Sequence, residues 1–400
     1  MTAQDTPRRS SAQRIRDYSG PAVLSFGFRP FFLAGALWSA LAVAIWIGVL
    51  SGFWSVPTAF SPVDWHIHEM IYGFFPAIAA GFLLTAVPNW TGRLPIVGLP
   101  LLYLFLLWLA GRATVFLSAW YPPAIAVVAD LMFLAVLGWV IGREIVAAKK
   151  LKNLTVLAGV ALLLTGNALF HMEAASGSSG GYGARLGIAT AIMLIMLIGG
   201  RIVPSFTRNW LAKRSSRVLP SPFGTIDVAA LVTGVAALAC WVVTPDGAAT
   251  LVLSAVAAVV HIVRLSRWAG HMTLAEPLVT ILHAGYLFVP LGFALLAGSI
   301  YDPQTFTPSA ALHAWSAGAV GLMTLAVMTR ASLGHAGREL TASGPVILIY
   351  LAIILAAVLR ILAALDSASG MWLELSALGW VLAYIGFAMI FAPVLLARRT

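Results

Sequence analysis

Long apolar runs separated by short polar punctuation dominate the chain. Twelve of them, at 30–50, 65–88, 99–118, 123–147, 154–173, 184–204, 226–244, 249–269, 276–298, 308–329, 344–364 and 371–396, approach or exceed 20 mostly apolar residues. That is the length a helix needs to cross the hydrocarbon core, and a helix satisfies its own backbone there. Turn-rich stretches such as "EAASGSSGGYG" and "TPDGAAT" mark the breaks. The pattern predicts an all-α, polytopic transmembrane bundle of about twelve helices.

Composition agrees, since of 400 residues 60% are hydrophobic and only 10% charged, against about a quarter charged in a soluble domain. The net charge of +10 would suggest nucleic-acid binding in a soluble protein. Here its distribution gives it another meaning. With the N-terminus in the cytoplasm, 21 of the 24 Lys and Arg residues fall in the leader, in cytoplasmic connections or at the C-terminus, as the positive-inside rule requires. Only Arg112, Arg185 and Arg360 are left for the opposite side. Both termini are therefore expected in the cytoplasm, with no nucleic-acid partner and some attraction to anionic lipid.

A leader at 1–25, too charged for a signal peptide, precedes a single membrane domain at 26–400. The basic stretch "TRNWLAKRSSR" within 205–225 is the longest internal connection, and marks a possible boundary between six-helix halves at 26–204 and 226–400. The lone cysteine, Cys240, excludes intrachain disulfides and thiolate clusters.

Histidine is then the informative residue, because ionisable groups inside a membrane are costly and mostly functional. His66 and His68 start the second span, His171 ends the fifth, and His313 begins the tenth, so all four share one level with Glu69 and Glu173. His261 and His283 match in depth nearer the cytoplasm, whereas His271 and His335 fall in connections. Two residues apart on a helix means about 200° of rotation, so His66 and His68 point to opposite sides, while His66 and Glu69 share a face. Imidazoles suit copper, iron and zinc, and an apolar bundle with axial histidines suits haem. Copper, haem iron or both is the chemical reading.

Asp130, in the outer half of the fourth span, calls for a proton route, a hidden basic partner or a shifted boundary. Gly73 and Gly81, eight apart, permit close helix or ring approach on one face. "HEMIYG" at His68 and "HAWSAG" at His313 share a histidine four residues before the pair ending in glycine, faintly echoing each other. Arg201, Arg330 and Arg338 close helices at the cytoplasmic side, where they would pair with haem propionates or follow the charge bias. No phosphate-binding loop or hydrolase elbow is present.

The stretches "FRPFFLAGALW", "WHIHEMIYGFFPAIAAGFLLTAVPNWTG", "GGRIVPSFTRNWL" and "LHAWSAGAVGLMTLAVMTRASLGHAGREL" resemble the signatures of the NnrS family across most of the chain. The resemblance implies a twelve-helix bacterial inner-membrane protein with haem and copper, associated with denitrification and protection from nitric oxide. It carries over to His66, His68, Glu69, His313, Arg330, His335 and Arg338, whereas His171, His261 and His283 rest on depth alone.

The expected chemistry is reduction of nitric oxide to nitrous oxide with electrons from membrane quinol. His66, His68, His171 and His313 would hold a binuclear centre of haem b and copper, with His68 and Glu69 as the catalytic pair and Glu69 delivering protons. His261 and His283 would ligate a second haem b. Two other readings stay open: a twelve-helix secondary transporter with a histidine-lined metal or substrate site, and a haem sensor that binds nitric oxide without turnover.

Overall fold

The structure, a computed structural model, describes residues 18–93, 95–177, 181–366 and 370–398. Most of the expected leader lies outside them. Among the described residues twelve helices have the length and apolarity to span a membrane: α1 (Phe28–Leu50), α2 (Pro62–Thr91), α3 (Leu99–Phe116), α4 (Pro123–Ala147), α5 (Leu154–Ala175), α6 (Tyr182–Ala212), α7 (Thr225–Val243), α8 (Ala248–Ser266), α9 (Pro277–Tyr301), α10 (Pro308–His335), α11 (Gly344–Leu365) and α12 (Gly370–Leu396). The protein is thus an all-helical, multi-pass membrane protein.

Helix starts follow local chemistry. Ser61 caps α2 and Thr307 caps α10 through hydroxyls that accept the N–H of Asp64 and Ala310, each at 3.2 Å. Each cap is followed by a proline in the first turn, where its missing donor costs nothing. The expected boundaries hold to a few residues except at the ends of α6 and α10, which run on to Ala212 and His335. Helical spacing explains the longer α6: Gly200, Val203, Thr207 and Leu211 are buried on one face, while Arg201 and Trp210 on other faces are not. The 205–225 connection therefore shrinks, and its first part is helix.

The most buried spans are α2 (78%), α9 and α10 (72% each) and α6 (61%), against 33% for α1, α3, α7 and α8. Helices α2, α6 and α10 touch one another, and α12 returns to pack along α1, so the first and last parts of the chain are interleaved. Arg29 fastens that seam through Nη1, which donates to Leu395 O at 3.1 Å and to Ala397 O at 2.5 Å.

The three mutually touching helices share one irregularity. Each contains a widened π-helical turn: Glu69–Phe74 in α2, Ile195–Gly199 in α6 and Ala314–Val320 in α10. Such turns gather at functional sites. Carbonyls in two of them are taken by side chains of neighbouring helices, Gly73 O by Trp108 Nε1 and Met196 O by Arg264 Nη1, both at 2.9 Å. Close approach around α2 depends on glycine: a Cβ at Gly81 would lie 2.7 Å from the Phe32 ring and 3.2 Å from Phe28 Cα.

Candidate metal and redox centre

The second turn of α2 aims its two histidines in opposite directions, as the helix rotation requires. His68 enters a fully buried polar cluster between α2, α3, α4 and α5. Its Nδ1 lies 3.1 Å from Glu69 Oε1, and its Nε2 3.0 Å from both Asp130 Oδ2 and Asn167 Oδ1. His171 Nε2 lies 3.1 Å from Asp130 Oδ2, and Asn167 Nδ2 donates to the same oxygen at 2.7 Å. Arg112 bridges the two carboxylates, donating to Glu69 Oε2 at 2.7 Å and, through Nη2, to Asp130 Oδ1. Trp38 Nε1 donates to Glu69 Oε2 at 2.7 Å.

The hidden basic partner of Asp130 is therefore Arg112. Two carboxylates against one guanidinium leave one negative charge, which a second proton on His68 would balance, because both its ring nitrogens face carboxylate oxygens. Alternatively, a cation can supply that charge. The ligand atoms of His68, Asp130 and His171 lie within 4.8 Å of one another, and two imidazoles with one carboxylate are a donor set for copper, iron or zinc. Gly73 makes the cluster possible, since a Cβ there would be 2.5 Å from Arg112 Nη1 and 2.6 Å from Glu69 Oε2.

His66 faces the other way, into a cavity of about 100 Å³ among α1, α2, α6, α10, α11 and α12. His313 and Arg360 line the same cavity, and nearly all the remaining lining is apolar. His66 stacks on Trp46, with ring centroids 4.7 Å apart and planes at 12°, and its buried Nδ1 has no hydrogen-bond partner. His313 Nδ1 donates to Ser309 O at 2.8 Å, which fixes the tautomer and leaves Nε2 as the lone-pair nitrogen, the arrangement metal-bound histidines commonly have.

The four outer histidines thus form two pairs on either side of one helix, His68 with His171 and His66 with His313, rather than one group. The histidine that opens each of the echoing stretches "HEMIYG" and "HAWSAG", His68 and His313, directly precedes a π-helical turn formed by the residues after it. Glu173 stands apart, accepting the Tyr182 and Gly183 N–H groups at 2.6 and 2.9 Å.

His261 and His283 bind different neighbours. His261 Nδ1 pairs with Tyr286 Oη at 2.9 Å, and Tyr286 also accepts from Arg264 Nη1 at 2.8 Å while Arg264 Nε donates to Asp227 Oδ1 at 3.0 Å. His283 Nε2 pairs with Thr207 Oγ1 at 2.8 Å. Their second nitrogens, His261 Nε2 and His283 Nδ1, are buried without partners, but they face different glycines, Gly234 and Gly270. Arg201, Arg338 and His271 are exposed and line none of the cavities described here. Arg330 and His335 line a separate cavity at the end of the bundle that carries the termini.

Reasoning from histidines alone missed Arg112, Asn167 and Trp38 in one site and Arg360 in the other. A signal for two of them existed: Arg112 and Arg360 belong to the three basic residues that run against the charge bias, and a cation held there against the trend has a buried task.

A model of one protein family, described as NnrS protein, matches residues 22–399, nearly the whole chain. No curated protein matches.

Proposed function

The chain belongs to the NnrS family, and on that premise we propose that it is a haem- and copper-containing protein of the bacterial inner membrane that removes nitric oxide. It reduces two NO to nitrous oxide and water with two electrons and two protons drawn from a membrane quinol. The observation that carries this reading is the His66–His313 cavity. Two imidazoles from different helices, one with a tautomer-fixing bond and the other with an unpartnered nitrogen, meet in an apolar cavity with one guanidinium.

These residues fit haem in donor chemistry. His66 or His313 would ligate the iron, Arg360 would meet a propionate, and the apolar walls would bury the ring. A macrocycle is larger than the cavity, so the flexible lining side chains of Met70 and Leu373 would have to draw aside. Copper suits His68, His171 and Asp130. When bound, such centres supply ligation of nitric oxide and one-electron redox capacity.

The chain's own residues supply the rest. Apolar nitric oxide partitions into the bilayer and reaches the centre between helices. His68, between the Glu69 and Asp130 carboxylates, can carry a proton within a helix turn of His66, and Arg112 keeps the two carboxylates in place. Trp46 holds the His66 ring flat against α1.

Purified protein tests this directly. Stoichiometric haem and copper, a nitric-oxide-sensitive absorbance change and nitrous oxide formation from quinol are expected. A folded sample that binds nitric oxide but makes no nitrous oxide is a sensor. One without stoichiometric haem or copper is a carrier, for which the cavities strung along α2, α6 and α10 would form a substrate path.

A further inference from the structure

Cavities follow the three central helices from one end of the bundle to the other. Below the His66–His313 cavity lies an apolar slot that shares Phe75 with it. Below that, at the end carrying the termini, is a cavity of about 440 Å³ that shares Phe82, Ile202 and Val327 with the slot. Phenylalanines from α1, α2 and α6 wall this last cavity, and Arg330 and His335 of α10 line it.

Arg330 is the unusual group there. It is half-buried, its guanidinium lies 4.0 Å over the Phe206 ring, and Glu276 is its charged neighbour, but no hydrogen bond or ion pair within 4 Å engages it among the described residues. A guanidinium held at the cavity wall against an aromatic ring keeps its N–H donors free for an acceptor. A ligand oxygen in the cavity would supply one. The ligand must bring a flat head that stacks among Phe28, Phe32, Phe82 and Phe206, an oxygen for Arg330, and an apolar tail for the slot above.

We infer that this cavity is the headgroup site of a membrane quinone or quinol, with Arg330 donating to one ring oxygen and the isoprenoid tail following the slot between α2, α6 and α10. One guanidinium with no second cation suits a neutral carbonyl better than a phosphate, which ordinarily collects several donors. The aromatic walls suit a planar ring better than an acyl chain. His335 stands at the same cavity, its ring centroid 5.5 Å from that of Phe26 and 5.4 Å from that of Phe28. Binding at this site stands by itself, and only the quinol's role as electron donor rests on the function proposed above.

The test is equilibrium binding of decyl-ubiquinone to the full chain in detergent, by calorimetry and without nitric oxide. Arg330→Gln should weaken binding about tenfold, as the loss of one charge-assisted hydrogen bond does, and Arg330→Lys less. Gly334→Phe provides an independent variant. Gly334 lines the cavity, and an added Cβ there meets only Leu340, at 3.6 Å, so the ring should block binding with the thermal unfolding temperature retained. Unchanged affinity in both variants would overturn the site. So would displacement of the quinone by phosphatidylglycerol with loss of lipid in Arg330→Gln, which would make it a lipid site. Quinone binding without nitrous oxide formation would sink the proposed function and leave this inference standing, and the converse holds equally.

Discussion

His66 and His68 are two residues apart and serve different neighbourhoods, so substitutions at the two should have separable effects. His66→Ala or His313→Ala should remove haem absorbance and spare the buried ion cluster, leaving detergent-solubilised protein monodisperse. His68→Ala should keep haem absorbance and lower copper content. Loss of both signals in every variant would mean a single shared site. Arg112→Ala leaves two buried carboxylates facing each other, and removing one partner of such a cluster costs about 3–5 kcal/mol. That predicts poor recovery of folded protein, which Arg112→Lys should restore only in part because a single ammonium cannot span both acids. Gly73→Ala pushes a methyl into the same cluster, and overpacking of about 1–3 kcal/mol should appear as a lower unfolding temperature.

At the scale of elements, the spans were legible because hydrophobic length is the property a bilayer selects. The longer ends of α6 and α10 were less so, since past the hydrocarbon edge amphipathic spacing replaces apolar composition. The π-helical turns could not be read at all. A turn of i→i+5 bonds leaves the same apolar residues in the same order and alters only their angular position. Its mark was indirect, in the glycines and the two histidines that precede such turns. Deleting Ala317 should convert the α10 turn to ordinary α-helix and rotate His313 by about 100° relative to the rest of α10. The variant should insert and fold yet lose the haem signal, whereas deleting the exposed Ser215 in the connection after α6, away from the cavity, should not.

For the whole molecule, the histidine levels came from counting depth along spans, and the structure brings His68 to His171 and His66 to His313 within that level. What depth could not supply is azimuth: which face of which helix looks at which neighbour depends on the packing of all twelve. That is why one expected group of four became two pairs, and why the charge-bias exceptions Arg112 and Arg360 were needed to complete them.

The seam between α1 and α12 bears on the order of synthesis. Phe28, Phe31 and Phe32 are buried with Arg29 at the start of α1, but the carbonyls that receive the Arg29 guanidinium, Leu395 and Ala397, lie 366 and 368 residues further along the chain and are synthesised long after it. Until then α1 sits in lipid with an unanswered cation near its end. A nascent chain halted before α12 should therefore stay open to proteases at the α1 end, and synthesis of α12 should close the bundle in a single late step.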